Sequence, residues 1–227
     1  MHENTDPAYA RARARAIVRS TGILVCALGL AQLVLGLASA PKGTFRFELL
    51  GLIVGLLILF GNMRALALVR WLALFAVGAS LLELLKPVIL MPFDLIVTQL
   101  RLFPGQTAML YLPHLLGALA VLLVAVRLSH PQVLSARAVA GLKAPATRLP
   151  LALGIVLALG VCFLQYRALN GEDAGRARQL AADKFGPRYQ YHTQYLHIQF
   201  GENAGVSATV HAWNDKEVLR IPVQWRR

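Results

Sequence analysis

Five ionisable residues have types and a spacing that could do chemistry: Glu83, Lys86, Asp94, Arg101 and His114. Glu83 and Lys86 stand three apart, so a helix carries them on one face. Charges at membrane depth are costly and point to function. Both fall near the outer end of an apolar run, where the long stem of Lys86 can carry its ammonium to the interface. Alone they read as an interfacial ion pair. Taken with Asp94, Arg101 and His114 they read as a polar cluster at the outer membrane face, open to a transport or lipid-processing role. His114 follows Pro113 at a helix start, a place for a cap or a proton acceptor.

Three later histidines, His192, His197 and His211, invite a metal reading. His192 and His197 are five apart, which puts them on opposite faces of a regular strand. No CxxC, HxxxH or HExxH pattern occurs, and neither does a serine elbow, a P-loop or a dinucleotide fingerprint. No metal, no cofactor and no catalytic residue is therefore expected. Tyr189, Tyr191 and Tyr195 alternate along one strand face, a surface for packing or for a peptide.

A membrane must position these residues. Of 227 residues 57% are apolar and 15% charged, against about 25% charged in an average soluble domain. The mean hydropathy is +0.57. Such a chain is neither disordered nor an ordinary soluble domain, and two cysteines exclude a disulfide scaffold. Cys26 and Cys162 lie in separate apolar runs and are expected to be free, buried thiols. The net charge of +12 would suit nucleic acid, but the basic residues flank apolar runs, where they set membrane orientation; no nucleic-acid partner is expected.

A spanning helix needs about 20 mostly apolar residues. On that template five spans are expected, over about 17–38, 45–61, 65–85, 108–128 and 149–169. The first follows Arg11, Arg13, Arg15 and Arg19 and resembles a signal peptide before Ala38-Ser39-Ala40, but it is longer than a signal core and reads as a retained helix. Gly61-Asn62-Met63-Arg64 is a tight turn joining the second and third spans. With the amino terminus in the cytoplasm, the inner segments carry ten Lys or Arg, and the short outer loops carry four (Lys42, Arg46, Lys86 and Arg101). The carboxyl terminus is then outside. The link over 129–148 is basic and has room for one short surface helix.

Residues 92–103 are too apolar for a free loop. Phe93, Ile96, Val97, Leu100 and Phe103 follow helical spacing, while Asp94, Thr98 and Arg101 share another face. Pro92 starts this helix and Pro104-Gly105 stops it, which predicts an element lying flat on the outer leaflet or a short re-entrant one.

Residues 170–227 change character. A helix over 174–185 precedes strands at about 189–200, 206–213 and 217–225, with Gly- and Asn-rich turns between them. Pro222 marks the last as an edge strand or a bulge. The fold class is thus a membrane all-α bundle, 1–169, with five transmembrane helices and an outer interfacial helix, followed by an extracytoplasmic α+β domain, 170–227, of one helix and a three-stranded antiparallel meander. At 58 residues that domain is marginal alone.

Small residues let helices approach closely in lipid. Gly22, Gly29 and Gly36 recur every seven residues with Cys26 between, and Gly51 and Gly55 form a GxxxG. These six are the expected helix-packing residues, within the chain or toward a second copy or another protein. The basic, Arg-, Ala- and Leu-rich composition suits a bacterial inner membrane with the terminal domain periplasmic. The resulting expectation is a non-enzymatic accessory or scaffold subunit of an envelope complex. Its partner binds through helix packing or the terminal domain. The alternatives are a small transporter or channel component, and a membrane enzyme acting on a lipid or envelope substrate at the outer leaflet.

Overall fold

The structure is a computed structural model that describes residues 7–39, 50–142, 146–199 and 204–226. It is mostly helical and ends in a three-stranded antiparallel sheet. The helices are α1 (Pro7–Ser39), α2 (Leu50–Phe60), α3 (Met63–Leu90), α4 (Phe93–Leu102), α5 (Pro104–Leu128), α6 (Pro131–Val139), α7 (Arg148–Leu169) and α8 (Glu172–Phe185). The strands are β1 (Gln190–Gln199), β2 (Gly205–Trp213) and β3 (Val218–Arg226).

Among the described residues four helical stretches are long and apolar enough to cross a membrane: Ala12–Ala31 within α1, Met63–Leu90, Pro104–Leu128 and Arg148–Leu169. The second expected span is helical from Leu50, and residues 40–49 lie outside the described residues. Its 11 described residues are about 16 Å long, half of a hydrocarbon core of about 30 Å. Helix α1 begins ten residues before the apolar run, because the Arg/Ala-rich lead of Pro7–Ser39 is itself made of good helix formers.

Local chemistry sets the joints. Asn62 Oδ1 accepts the amides of Arg64 and Ala65, both at 3.0 Å, and so caps α3 where the turn was expected. Pro92 precedes α4, and Pro104 opens α5 directly after the single residue Phe103. His130 Nδ1 accepts the amide of Gln132 at the start of α6. Glu172 and Asp173 sit in the first turn of α8, and Gly186 ends it at φ +79°, a conformation that costs other residues.

The chain divides into two compact units. The first comprises Met1–Ala79 with Leu116–Gly154, and the second Ser80–Leu115 with Ile155–Arg227. In the first unit α1 packs on α2 and α6 around Ala14, Val18, Val25, Ile58, Leu66, Val69 and Val133. The seam between α1 and α2 is built of glycine. A Cβ on Gly29 would lie 2.7 Å from Leu52 N and 2.9 Å from Gly51 C. One on Gly55 would lie 2.8 Å from Cys26 N. Both obstacles are backbone. Gly29→Val therefore forces the helices apart and is expected to cost about 1–3 kcal/mol, read as a lower melting temperature in detergent. Gly105→Ala, which has open space around it, should leave the melt unchanged.

Also in the first unit, Arg70 of α3 is 3% exposed. Its Nε donates to Ser129 Oγ and its second terminal nitrogen to Thr147 Oγ1, both at 2.9 Å. One buried side chain thus ties the residue after α5 to the residue before α7.

In the second unit α8 covers one face of the sheet, ordered β1-β2-β3. Ala177 and Ala181 meet Ala208, Val210, Ala212 and Ile221, with Tyr191 and Leu196 packed around them. Small residues on both sides bring helix and sheet close. Thr193 Oγ1 donates to Ala174 O at 2.9 Å and locks β1 to α8. Thr193→Val is isosteric but removes that donor; a loss of about 1–2 kcal/mol is expected, measured by thermal denaturation.

Candidate functional site

The most built-up polar site lies on the other face of the sheet. A β-bulge between Thr193 and Tyr195 shifts the β1 register by one residue. Before it, His192 pairs with His211, which in turn pairs with Arg220; after it, Tyr195 pairs with Thr209 and His197 with Ser207. His192 and His197 therefore fall on one face. The expectation of opposite faces assumed an unbroken two-residue period, which the bulge interrupts. The same shift separates Tyr195 from Tyr191: Tyr191 packs against the α8 core, and Tyr195 is exposed on the histidine face.

His211 is fully buried and His192 nearly so. Gln99 of α4 donates to His211 Nδ1 at 3.3 Å, which leaves the ring proton on Nε2. The Nε2 atoms of both histidines are buried without a hydrogen-bond partner. Burial, then the nearby Arg220 and His192, holds the His211 pKa down at about 4. His192 is likewise lowered, by burial and then by Arg178. Both rings are neutral at pH 7, and the two buried histidines stand opposite each other on β1 and β2. Among the described residues no three His, Cys, Asp or Glu side chains come together as a metal site.

Helix α4 docks here. Leu95 and Thr98 are buried, Gln99 reaches His211, and Arg101 donates to Asp215 O in the β2–β3 turn. That turn is itself fixed by Asn214 Oδ1, which accepts the amides of Lys216 and Glu217. The side of α4 that carries Phe93, Val97, Leu100 and Phe103 stays exposed.

Of the residues of the expected outer cluster, Glu83 and Lys86 pair with each other at 3.3 Å. Arg101 binds the β2–β3 turn, and Asp94 is exposed in the first turn of α4. His114 is exposed and lies ten residues inside α5, not at a helix start as expected, because the helix opens at Pro104. The expected packing residues Gly22, Cys26, Gly29, Gly51 and Gly55 meet along the α1–α2 seam, while Gly36 lies in α1 beyond the residues whose packing is described. Cys26 is half-buried there and Cys162 buried, and both are free.

Sequence reasoning missed the histidine face and its contact with α4. Gln99 and His211 are 112 residues apart, and no local pattern links them. The available signal was weaker: a polar stripe on a helix that the composition already marked as partnered. No protein-family model matches the chain, and neither a curated protein nor a solved structure does.

Proposed function

We propose that the chain is a non-enzymatic accessory or scaffold subunit of an envelope protein complex in a bacterial inner membrane. In this reading it spans the membrane five times, with the amino terminus in the cytoplasm and residues 170–227 in the periplasm. The carrying observation is the two-sided use of α4. Its Gln99 and Arg101 bond to the sheet and to the β2–β3 turn, Leu95 and Thr98 are buried, and its Phe93, Val97, Leu100 and Phe103 side is left apolar and exposed. A helix with that division is suited to lie at the leaflet surface and carry a small domain on its back. The domain then offers two outer strands, β1 and β3, each with one edge unpaired among the described residues, and such edges accept a partner's strand.

Purification of the tagged chain from native membranes in mild detergent, followed by mass spectrometry, tests this. A stoichiometric protein partner is expected, and an Arg220→Pro variant should lose it, because proline disrupts the pairing of β3. A monomer with no retained protein, whose deletion destabilises no other membrane protein, overturns the reading.

A further inference from the structure

The first unit holds a second buried polar centre that the scaffold reading does not use. Arg70 of α3 and Arg137 of α6 are 3% and 6% exposed, and they lie close enough for their like charges to repel. Among the described residues Arg70 bonds to two hydroxyls, Ser129 and Thr147. Arg137 has fewer: its Nε and one terminal nitrogen are buried with no hydrogen-bond partner. Neither guanidinium pairs with an acidic side chain among the described residues.

Val69 and Ala136, their neighbours in the chain, pack in one core, and two desolvated cations there are a costly arrangement. Buried charges persist when an opposite charge compensates them, and neutral hydroxyls do not supply one. The hydroxyls fit a different role. Ser129 and Thr147 each accept from Arg70 and retain a proton to donate. The centre therefore presents unused guanidinium donors, two hydroxyl protons and a double positive charge. Guanidinium donors from two arginines, with hydroxyls on one of them, match in kind the oxygens of a phosphate group, which arginine binds in bidentate fashion.

We infer that Arg70, Arg137, Ser129 and Thr147 form a binding site for a phosphate group. Its charge completes the join between α3, α6 and the ends of α5 and α7. The group can belong to a phospholipid headgroup or to a free phosphate, and the two sources are separable by experiment.

The test uses the full-length chain in an uncharged detergent, with thermal melts at constant ionic strength set by chloride. One arm titrates inorganic phosphate. The other compares vesicles of phosphatidylglycerol with vesicles of a phosphate-free galactolipid. A site that binds only the folded state must raise the melting temperature with ligand concentration. A rise with inorganic phosphate identifies the free ion as a sufficient ligand, and a rise confined to phosphatidylglycerol identifies the headgroup. Arg137→Met removes one of the repelling charges at similar length. It should melt at or above the wild type without ligand and should lose the ligand response. No rise in either arm, or an equal rise in Arg137→Met, overturns the inference. Should that variant fail to fold, the phosphorus content of the wild-type chain after exhaustive delipidation decides. About one equivalent per chain is expected if the site is occupied, and less than a tenth overturns it.

Discussion

In detergent, Leu95→Ala is expected to melt about 6–12 °C below the wild type. Leu95 is fully buried on a ten-residue helix whose Phe93, Val97 and Leu100 are exposed. Truncating a buried leucine removes transfer energy and leaves a cavity, together about 3 kcal/mol, which in a chain of this size corresponds to the stated shift. The effect tests whether α4 is held within its unit, because a helix that merely floated on the leaflet would not bury this side chain. Phe93→Ala, at a residue of the same helix that is 71% exposed, serves as the control and should move the melt by less than about 2 °C. Equal melts for Leu95→Ala and the wild type would show that the burial of Leu95 does not hold α4 in place.

The second large effect is a loss of stability on acidification. An unfolded histidine takes up a proton near pH 6.5, whereas His211 in the fold does so only at about 4. Between those values the unfolded chain binds more protons, so stability must fall as pH falls. The contribution is fully present above about pH 6.5, declines through the interval, and levels off below about 4. Its size is on the order of 3 kcal/mol for His211, and His192, lowered for the same reason, adds in the same direction. Melts followed by tryptophan fluorescence between pH 7.5 and 4 would show the decline. Trp213 is buried near the end of β2, two residues from His211, and reports the same unit. His211→Gln should flatten the profile while keeping a polar group for Gln99. A wild-type profile as flat as the variant's would remove the histidines from the account.

Much of this architecture is legible in the sequence because it is written in local signals. Pro92 and Pro104 bracket α4 to within a residue, since proline is best suited to a first helical turn, although Pro87 is accommodated inside α3. Gly186 ends α8, and the alternation of Val206, Ala208, Val210 and Ala212 marks the covered face of β2. The Gly61-Asn62 turn shows itself through the capping oxygen of Asn62. The partnerships between distant segments are not legible. Arg70 and Arg137 read as cations that orient the membrane spans, and nothing in their spacing says that both are buried together. The destination of the polar stripe on α4 is equally hidden, because water, headgroups and a protein surface all satisfy the same residue types. The β1 bulge has no composition of its own, and a strand read at strict period two goes wrong from that residue onward.

That last feature reaches beyond side-chain placement. Gln194 is the residue between the two registers of β1, and it shifts the strand's phase by half a period. A chain that lost this single residue would still pair Thr193 with Val210 and Tyr195 with Thr209, and every later side chain of β1 would keep its face. The damaging event is the opposite one, a bulge drawn straight so that Gln194 takes a partner of its own on β2. Leu196 and Ile198 would then move toward the face that holds His192, and Tyr195 and His197 toward α8. Descendants of this sequence that lack residue 194 should therefore keep the polar and apolar identities of 195–199 as they stand.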